Sequence, residues 1–85
     1  MIFTIYSKPG CPYCEKFVAV CELEDLKHVV YKLDDDFTKT QFEMEFGGDA
    51  KFPQVVLDIG SERLHLGGCR DSIEYMQKEN ICCVV

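Results

Sequence analysis

The sequence predicts one α/β domain in which a four-stranded mixed sheet is flanked by about three helices, in the order β-α-β-α-β-β-α. Three observations support this fold class. Strand-like and helical stretches alternate in the first half of the chain, two short strands separated by a turn follow, and a helical pattern comes last. The 85 residues suffice for one hydrophobic core and are too few for two.

The first half of the chain reads as strand, helix, strand. Residues 2–6 are β-prone and stop at a loop that contains Pro9 and Gly10, which break both regular structures. Apolar residues then recur at helical spacing over residues 12–25, and Pro12 suits the first turn of a helix. A second strand at residues 28–33 completes a crossover that joins two parallel strands.

The second half predicts a helix, a hairpin and a last helix. Residues 34–36, all aspartate, form a turn and are N-cap candidates for a helix that ends at Gly47 and Gly48. Short strands at 54–57 and 63–66 flank a turn and predict an antiparallel hairpin. The last helix runs from about 71 to about 79. We expect a single domain over residues 1–85, with 80–85 as a loose tail.

Composition and charge exclude several function classes. A net charge of −6 argues against a nucleic-acid-binding surface. No apolar run approaches the roughly 20 residues that cross a bilayer, and residues 1–6 lack the basic start of a secretion signal. We therefore expect a protein of the cytoplasm, a reducing compartment, without a membrane or nucleic-acid partner. We also expect it to be a monomer.

The six cysteines are the most informative part of the composition. Cys11 and Cys14 form a C-x-x-C motif where the first strand hands over to the first helix. The positive end of the helix dipole, together with Lys8, is expected to lower the pKa of the Cys11 thiol from its usual value of about 8.5. Cys11 is thus the candidate nucleophile, and Cys14 can resolve a mixed disulfide formed on it.

The alternative for this motif is half of a zinc site, which needs two further ligands. Cys82, Cys83 and His65 are the available candidates, but the chain has no second C-x-x-C. We therefore favour redox chemistry and expect no metal site. Cys21 falls on the buried face of the first helix, and Cys82 and Cys83 receive no role.

Three motifs in this order together resemble the glutaredoxin family, over residues 2–80. They are Cys11-Pro12-Tyr13-Cys14, Phe52-Pro53 before the third strand, and Gly67-Gly68-Cys69-Arg70-Asp71 before the last helix. The resemblance implies a thioredoxin-like fold and a glutathione-disulfide oxidoreductase that reduces protein disulfides and glutathione mixed disulfides. Glutathione would be a co-substrate, with no permanently bound cofactor.

The resemblance also implies partners, namely disulfide-containing or glutathionylated proteins, with ribonucleotide reductase suggested first. An alternative within the family is an iron–sulfur cluster binding or delivery protein. Family members that hold clusters tend to have serine or glycine at the position of Pro12.

The resemblance further implies a glutathione site. The backbone of Phe52 would pair with the cysteinyl residue, and Pro53 would form a cis bond beside Cys11. Gly68 would let the N–H groups of Cys69 and Arg70 approach the γ-glutamyl carboxylate. Asp71 would bind the ammonium group. Lys8 and Tyr13 would border the glycyl carboxylate and the path to the sulfur. Gln41 or Lys39 would also reach the glycyl carboxylate.

One departure from the family pattern lies beside this site. The family usually has Thr-Val-Pro where this chain reads Lys51-Phe52-Pro53. The backbone role of Phe52 does not depend on its side chain, whereas Lys51 places an additional cation near Cys11. We expect this cation to alter affinity or partner choice.

Overall fold

The computed structural model describes residues 1–82. Seven elements follow one another there: β1 (Ile2–Ser7), α1 (Pro12–Leu23), β2 (His28–Lys32), α2 (Lys39–Phe46), β3 (Gln54–Ile59), β4 (Glu62–Gly67) and α3 (Cys69–Lys78). Their order and type confirm the predicted fold class.

The four strands form one mixed sheet in the order β2-β1-β3-β4. β1 pairs in parallel with β2, and the other two pairings are antiparallel. Tyr6 near the end of β1 lies opposite Gln54 at the start of β3. The loop after β1 and the loop before β3 therefore meet at one end of the two central strands, and this end of the sheet carries the candidate site.

One face of the sheet holds the apolar core. Phe3, Ile5, Val55 and Leu57 point to this face, and each is fully buried. They pack against α1 and α3, which contribute the buried side chains Phe17, Cys21 and Met76. Burial of apolar area on this scale is the main stabilising contribution to a domain of this size.

The opposite face is covered by α2 and by aromatic rings. Tyr6 lies on this face because side chains alternate along a strand, and its ring centroid is 5.0 Å from that of Phe46. Phe42 of the same helix is buried and stacks on Phe37. The helix places this aromatic cluster next to the loop before β3.

Both later helices begin at different residues from those predicted. The N-cap of α2 is Thr38, whose side chain accepts the Gln41 N–H, while the Gln41 side chain accepts the Thr38 N–H. Asp36, one of the predicted caps, instead accepts the Lys32 N–H at 2.8 Å. The reciprocal pair of Thr38 and Gln41 is a capping box, and it satisfies two N–H groups at once. The last helix begins at Cys69, two positions before the predicted start, because Gly68 is its N-cap.

The predicted loose tail is wrong for residues 80–82. Asn80 has a φ of 57°, and the Ile81 N–H donates to the Met76 carbonyl at 2.8 Å. This is a Schellman motif, which ends the helix and turns the chain back along it. Cys82 is consequently 5 % exposed and belongs to the core cluster. The rest of the predicted tail, residues 83–85, lies outside the described residues.

Among residues 1–82, none of the helices has both the length and the apolar character that crossing a membrane requires.

Candidate active site

The redox pair lies at the start of α1. Cys11 and Cys14 are joined by a disulfide, with their Cα atoms 5.2 Å apart. Cys11 is the N-cap residue, and its Sγ atom accepts the Cys14 N–H at 3.2 Å. The two residues are 6 % and 3 % exposed, so both are buried in the oxidised form.

The local sequence explains this placement. Gly10 has a φ of 66°, a left-handed conformation that glycine adopts without strain and that turns the chain between β1 and α1. Pro12 occupies the first helical turn, where no N–H is needed. The Cys11 sulfur therefore sits at the positive end of the helix, where a thiolate is stabilised.

Two further segments converge on the redox pair. The peptide bond between Phe52 and Pro53 is cis, as the resemblance implied. A Cβ atom added to Gly68 would lie 3.8 Å from the Pro53 carbonyl oxygen, so the start of α3 and the proline loop are in close approach. The backbone N–H groups of the first turn of a helix have no partner within the helix, and α3 has no side-chain cap.

A cavity of about 270 Å³ is formed where these segments meet. It is lined by seven predicted site residues: Tyr13, Phe52, Pro53, Gly68, Cys69, Arg70 and Asp71. Tyr13 stands between the two cysteines in the sequence, which ties this cavity to the redox pair.

A second cavity of about 440 Å³ carries positive charge. Its lining includes Lys8, Lys39 and Lys51 against one carboxylate, that of Glu43, and it shares Phe52 with the first cavity. The ammonium group of Lys8 lies 5.5 Å from the centroid of the Phe52 ring, a cation–π contact. The oxygen of the Gln41 side chain is occupied in the capping box, and Gln41 does not line this cavity, whereas Lys39, Phe42 and Glu43 of α2 do.

The Phe52 side chain is held by stacking. Its ring lies 4.2 Å from that of Phe42 at an interplanar angle of 13°, and 6.2 Å from that of Phe37. Aromatic pairs at such distances contribute about 0.5–1.5 kcal/mol beyond their buried area. The departure from the family pattern at this position thus gives the loop a rigid aromatic wall between the two cavities.

Two thiols outside the redox pair, those of Cys21 and Cys69, are buried and have a raised pKa. Burial raises the pKa of Cys21 to about 11, and the neighbouring Glu22 adds to the shift. Burial also raises the pKa of Cys69, and Lys16 opposes that rise. Both thiols stay protonated at neutral pH and are therefore unreactive by comparison with a thiol at a helix N-terminus. No cluster of three or more His, Cys, Asp and Glu suited to a metal ion occurs within residues 1–82.

Sequence reasoning missed two residues next to the site. The strand pattern places Gln54 and His65 in the predicted strands at 54–57 and 63–66 and gives no signal that they interact. The structure joins their side chains by a hydrogen bond of 2.6 Å, and Gln54 is buried. A polar residue at the start of a run of buried apolar residues was the available signal, since buried polar groups need partners.

The glutaredoxin family model matches residues 3–60 of the chain. Glutaredoxin 1 of Rickettsia typhi is 38 % identical over 72 residues, which cover 79 % of this chain and 62 % of that protein. The aligned part therefore spans less than two thirds of that relative.

Two solved structures share the fold. Reduced Escherichia coli glutaredoxin superposes with a TM-score of 0.76 at 20 % identity, covering 96 % of this chain and 100 % of the other. A buckwheat glutaredoxin–glutathione complex superposes with a TM-score of 0.70 at 20 % identity, covering 93 % of this chain and 71 % of the other. At these identities the likeness concerns the fold.

Proposed function

The chain belongs to the glutaredoxin family, whose members are thiol–disulfide oxidoreductases, and from that premise we propose that it depends on glutathione and reduces protein disulfides and glutathione mixed disulfides. The observation that carries the proposal is the cavity that joins Tyr13, the Phe52–Pro53 loop and the start of α3 beside the redox pair. The fold itself is compatible with this ligand, since the buckwheat protein of the same fold is a glutathione complex.

The chemical groups of glutathione match the two cavities. At its γ-glutamyl end, the carboxylate suits the N–H groups at the start of α3, and the ammonium group suits Asp71. At its other end, the glycyl carboxylate suits the cavity that contains Lys8, Lys39 and Lys51. Phe52 borders both cavities, so a ligand lying along it would bring its central cysteine to the loop.

The reaction then follows from the two thiols. The Cys11 thiolate attacks the glutathione sulfur of a mixed disulfide, a new S–S bond to Cys11 forms, and the protein thiolate leaves and takes up a proton. A second glutathione thiolate attacks the sulfur that is bound to Cys11, which releases oxidised glutathione and restores the Cys11 thiolate. A protein disulfide is opened by the Cys11 thiolate, which forms a mixed disulfide and releases one protein thiolate. The Cys14 thiolate then attacks the Cys11 sulfur, releases the second protein thiolate and forms the internal disulfide, which two glutathione thiols reopen as they leave as oxidised glutathione.

The proposed partners are glutathione and disulfide-containing or glutathionylated proteins, with ribonucleotide reductase as one candidate electron acceptor. The family resemblance supports this candidate. We further propose that the protein acts as a monomer in the cytoplasm.

A coupled assay with glutathione, glutathione reductase and NADPH tests the proposal. Wild type is expected to reduce a glutathionylated peptide. Cys14→Ser should retain this activity and lose reduction of a protein disulfide, and Cys11→Ser should lose both. Cys21→Ala is the matched control because its thiol is buried in the same helix, and it should retain both activities. Full activity of Cys11→Ser would falsify the assignment.

Reconstitution of the same preparation with iron, sulfide and glutathione tests the cluster-binding alternative. A colourless monomer agrees with the redox proposal. Visible absorbance together with dimerisation would favour the alternative instead.

A further inference from the structure

Two side-chain hydrogen bonds link β4 to the loop before Pro53. His65 Nε2 lies 2.6 Å from Gln54 Oε1, and Gln54 Nε2 donates to the Lys51 carbonyl oxygen at 2.7 Å. Because the amide nitrogen of Gln54 donates to that carbonyl, its oxygen is the acceptor and His65 Nε2 is the donor. Both bonds therefore run in one direction, from His65 through Gln54 to Lys51.

The strand register places these side chains together. The pairing of β3 with β4 shifts between Val55 and Val56, and Val56 lies opposite His65. Alternation along β3 puts Gln54 and Val56 on the same face, so His65 shares that face with Gln54. The His65 ring also contacts Phe46 of α2, with 4.9 Å between the ring centroids. The imidazole is thus held by both a strand and a helix.

The Lys51 carbonyl and the Phe52 N–H belong to one peptide unit. This unit is trans, since the cis bond follows Phe52, and its N–H therefore points opposite to its carbonyl. Gln54, by holding the carbonyl oxygen, fixes the direction of the Phe52 N–H. The hydrogen bond to the carbonyl also polarises the peptide unit, which strengthens the N–H as a donor.

We propose that Gln54 and His65 are positioning residues that orient the Phe52 peptide group for pairing with the cysteinyl backbone of glutathione. This inference rests on the proposed function and names a determinant of its substrate class. The pair acts on disulfides that carry a peptide backbone at the attacked sulfur, and it does not act on disulfides that lack one. Neither side chain needs to contact a reacting atom.

The test compares two substrates in single-turnover reactions of the reduced Cys14→Ser protein. One is a fluorescent peptide joined by a disulfide to glutathione, and the other is the same peptide joined to 2-mercaptoethanol, which has no amide. In each reaction Cys11 forms the new disulfide and the peptide thiolate leaves. The half-saturating substrate concentration reports binding, and the maximal rate reports the exchange step.

Two variants interrupt the link. His65→Phe keeps a ring beside Phe46 and removes the donor, while Gln54→Met removes both hydrogen bonds at similar volume. Each is expected to raise the half-saturating concentration of the glutathione substrate about three- to tenfold, the scale of one lost hydrogen bond. The maximal rate and both parameters for the mercaptoethanol substrate should stay unchanged. His65→Gln, which retains an N–H donor, should restore most of the affinity.

His28→Phe is the matched control. It removes a bond between His28 Nδ1 and the Leu26 carbonyl of 2.8 Å, at the end of the sheet away from the site. It should change neither the half-saturating concentration nor the maximal rate for either substrate. The Phe52 amide resonance should move in His65→Phe and not in His28→Phe.

Three outcomes overturn the inference. In the first, the half-saturating concentrations stay unchanged. In the second, the half-saturating concentrations of both substrates rise by the same factor, which indicates a purely structural role. In the third, wild type shows no preference for the glutathione substrate, and the proposed function then fails together with the inference. If wild type prefers the glutathione substrate and the variants show the same kinetics as wild type, the inference fails and the proposed function remains supported.

Discussion

The first and third helices both begin at the candidate site, but their N-terminal N–H groups are used differently. In α1 the N-cap is Cys11, whose own sulfur accepts the Cys14 N–H. In α3 the N-cap is Gly68, which has no side chain to offer. Helix α2 has the reciprocal capping of Thr38 and Gln41.

This difference shows how one backbone feature can serve two purposes. A helix N-terminus stabilises whichever negative group lies there. At α1 that group belongs to the protein and is the sulfur that reacts. At α3 the place is left open by Gly68, which suits a carboxylate supplied by a ligand. The residue at the N-cap decides between the two.

The largest expected effect concerns Cys21, the thiol of α1 that is not at its N-terminus. Its pKa is raised by burial to about 11, so the fold keeps it protonated while the unfolded chain ionises near pH 9. Its contribution to stability is complete below pH 9 and is lost as the pH rises to about 11. From this group alone we expect the free energy of unfolding to fall by about 3 kcal/mol over that interval.

Urea denaturation of wild type and Cys21→Ala at pH 8, 9, 10 and 11 measures this loss. The variant should be less stable at pH 8, since it loses buried contacts, but its stability should decline less steeply. Parallel pH profiles would contradict the assignment. Iodoacetamide should label reduced wild type at Cys11 and leave Cys21 unlabelled, which would confirm that position in the helix decides reactivity.

A smaller effect is expected at Gly67, which precedes the open N-terminus of α3. Its φ is 99°, and an added Cβ would lie 3.1 Å from an oxygen of Asp71. Gly67→Ala should cost about 1–3 kcal/mol of stability because a side chain is strained at this φ. The displaced Asp71 should also raise the KM for a glutathionylated peptide.

Gly60→Ala is the control for this prediction. Gly60 also has a positive φ, of 59°, but an added Cβ would meet nothing within 4 Å. The control should lose about 1 kcal/mol and leave the KM unchanged. Equal KM values for the two variants would mean that Asp71 does not contact the substrate.

The smallest effect on stability is expected for Gly68→Ser, which gives α3 the cap that it lacks. The backbone of Gly68, at φ −77° and ψ −173°, suits any residue, and an added Cβ would make an ordinary contact with Pro53. The serine should increase stability by roughly a few tenths of a kcal/mol. Its hydroxyl oxygen should compete with the ligand carboxylate for the same N–H groups and raise the KM roughly threefold.

Gly68→Ala separates capping from bulk, because alanine adds the Cβ without a hydroxyl. It should lower stability, since alanine is a poor N-cap, and change the KM less than serine does. Thermal denaturation and steady-state kinetics on the three proteins check this order. Unchanged substrate binding by Gly68→Ser would show that the ligand does not use the start of α3.

Local sequence was sufficient for the redox pair and for the order of the elements. Cys11 and Cys14 are separated by two residues, and the loop and Pro12 around them act on the backbone of their own segment. Hydrophobic periodicity likewise reports which face of a strand or helix is buried. These signals depend on residues close together in the sequence, so they can be interpreted without the rest of the chain.

Helix ends and the tail were harder to predict, since several residues compete for each cap. The aspartates at residues 34–36 and Thr38 are all good N-caps, and the reciprocal bond from Gln41 selected Thr38. Residues 80–82 turn back onto the core because Asn80 adopts a left-handed conformation, which a sequence allows but does not require.

The sequence by itself determined the order of the elements and the redox motif. Only the tertiary structure decided what lies beside that motif: the close approach of Gly68 to Pro53, Lys39 rather than Gln41 at the charged cavity, and the bond from His65 to Gln54. The reason is physical. Periodicity and turn chemistry act within a few residues, whereas these contacts join segments far apart in the chain through strand register, including a shift between Val55 and Val56 that no local pattern announces.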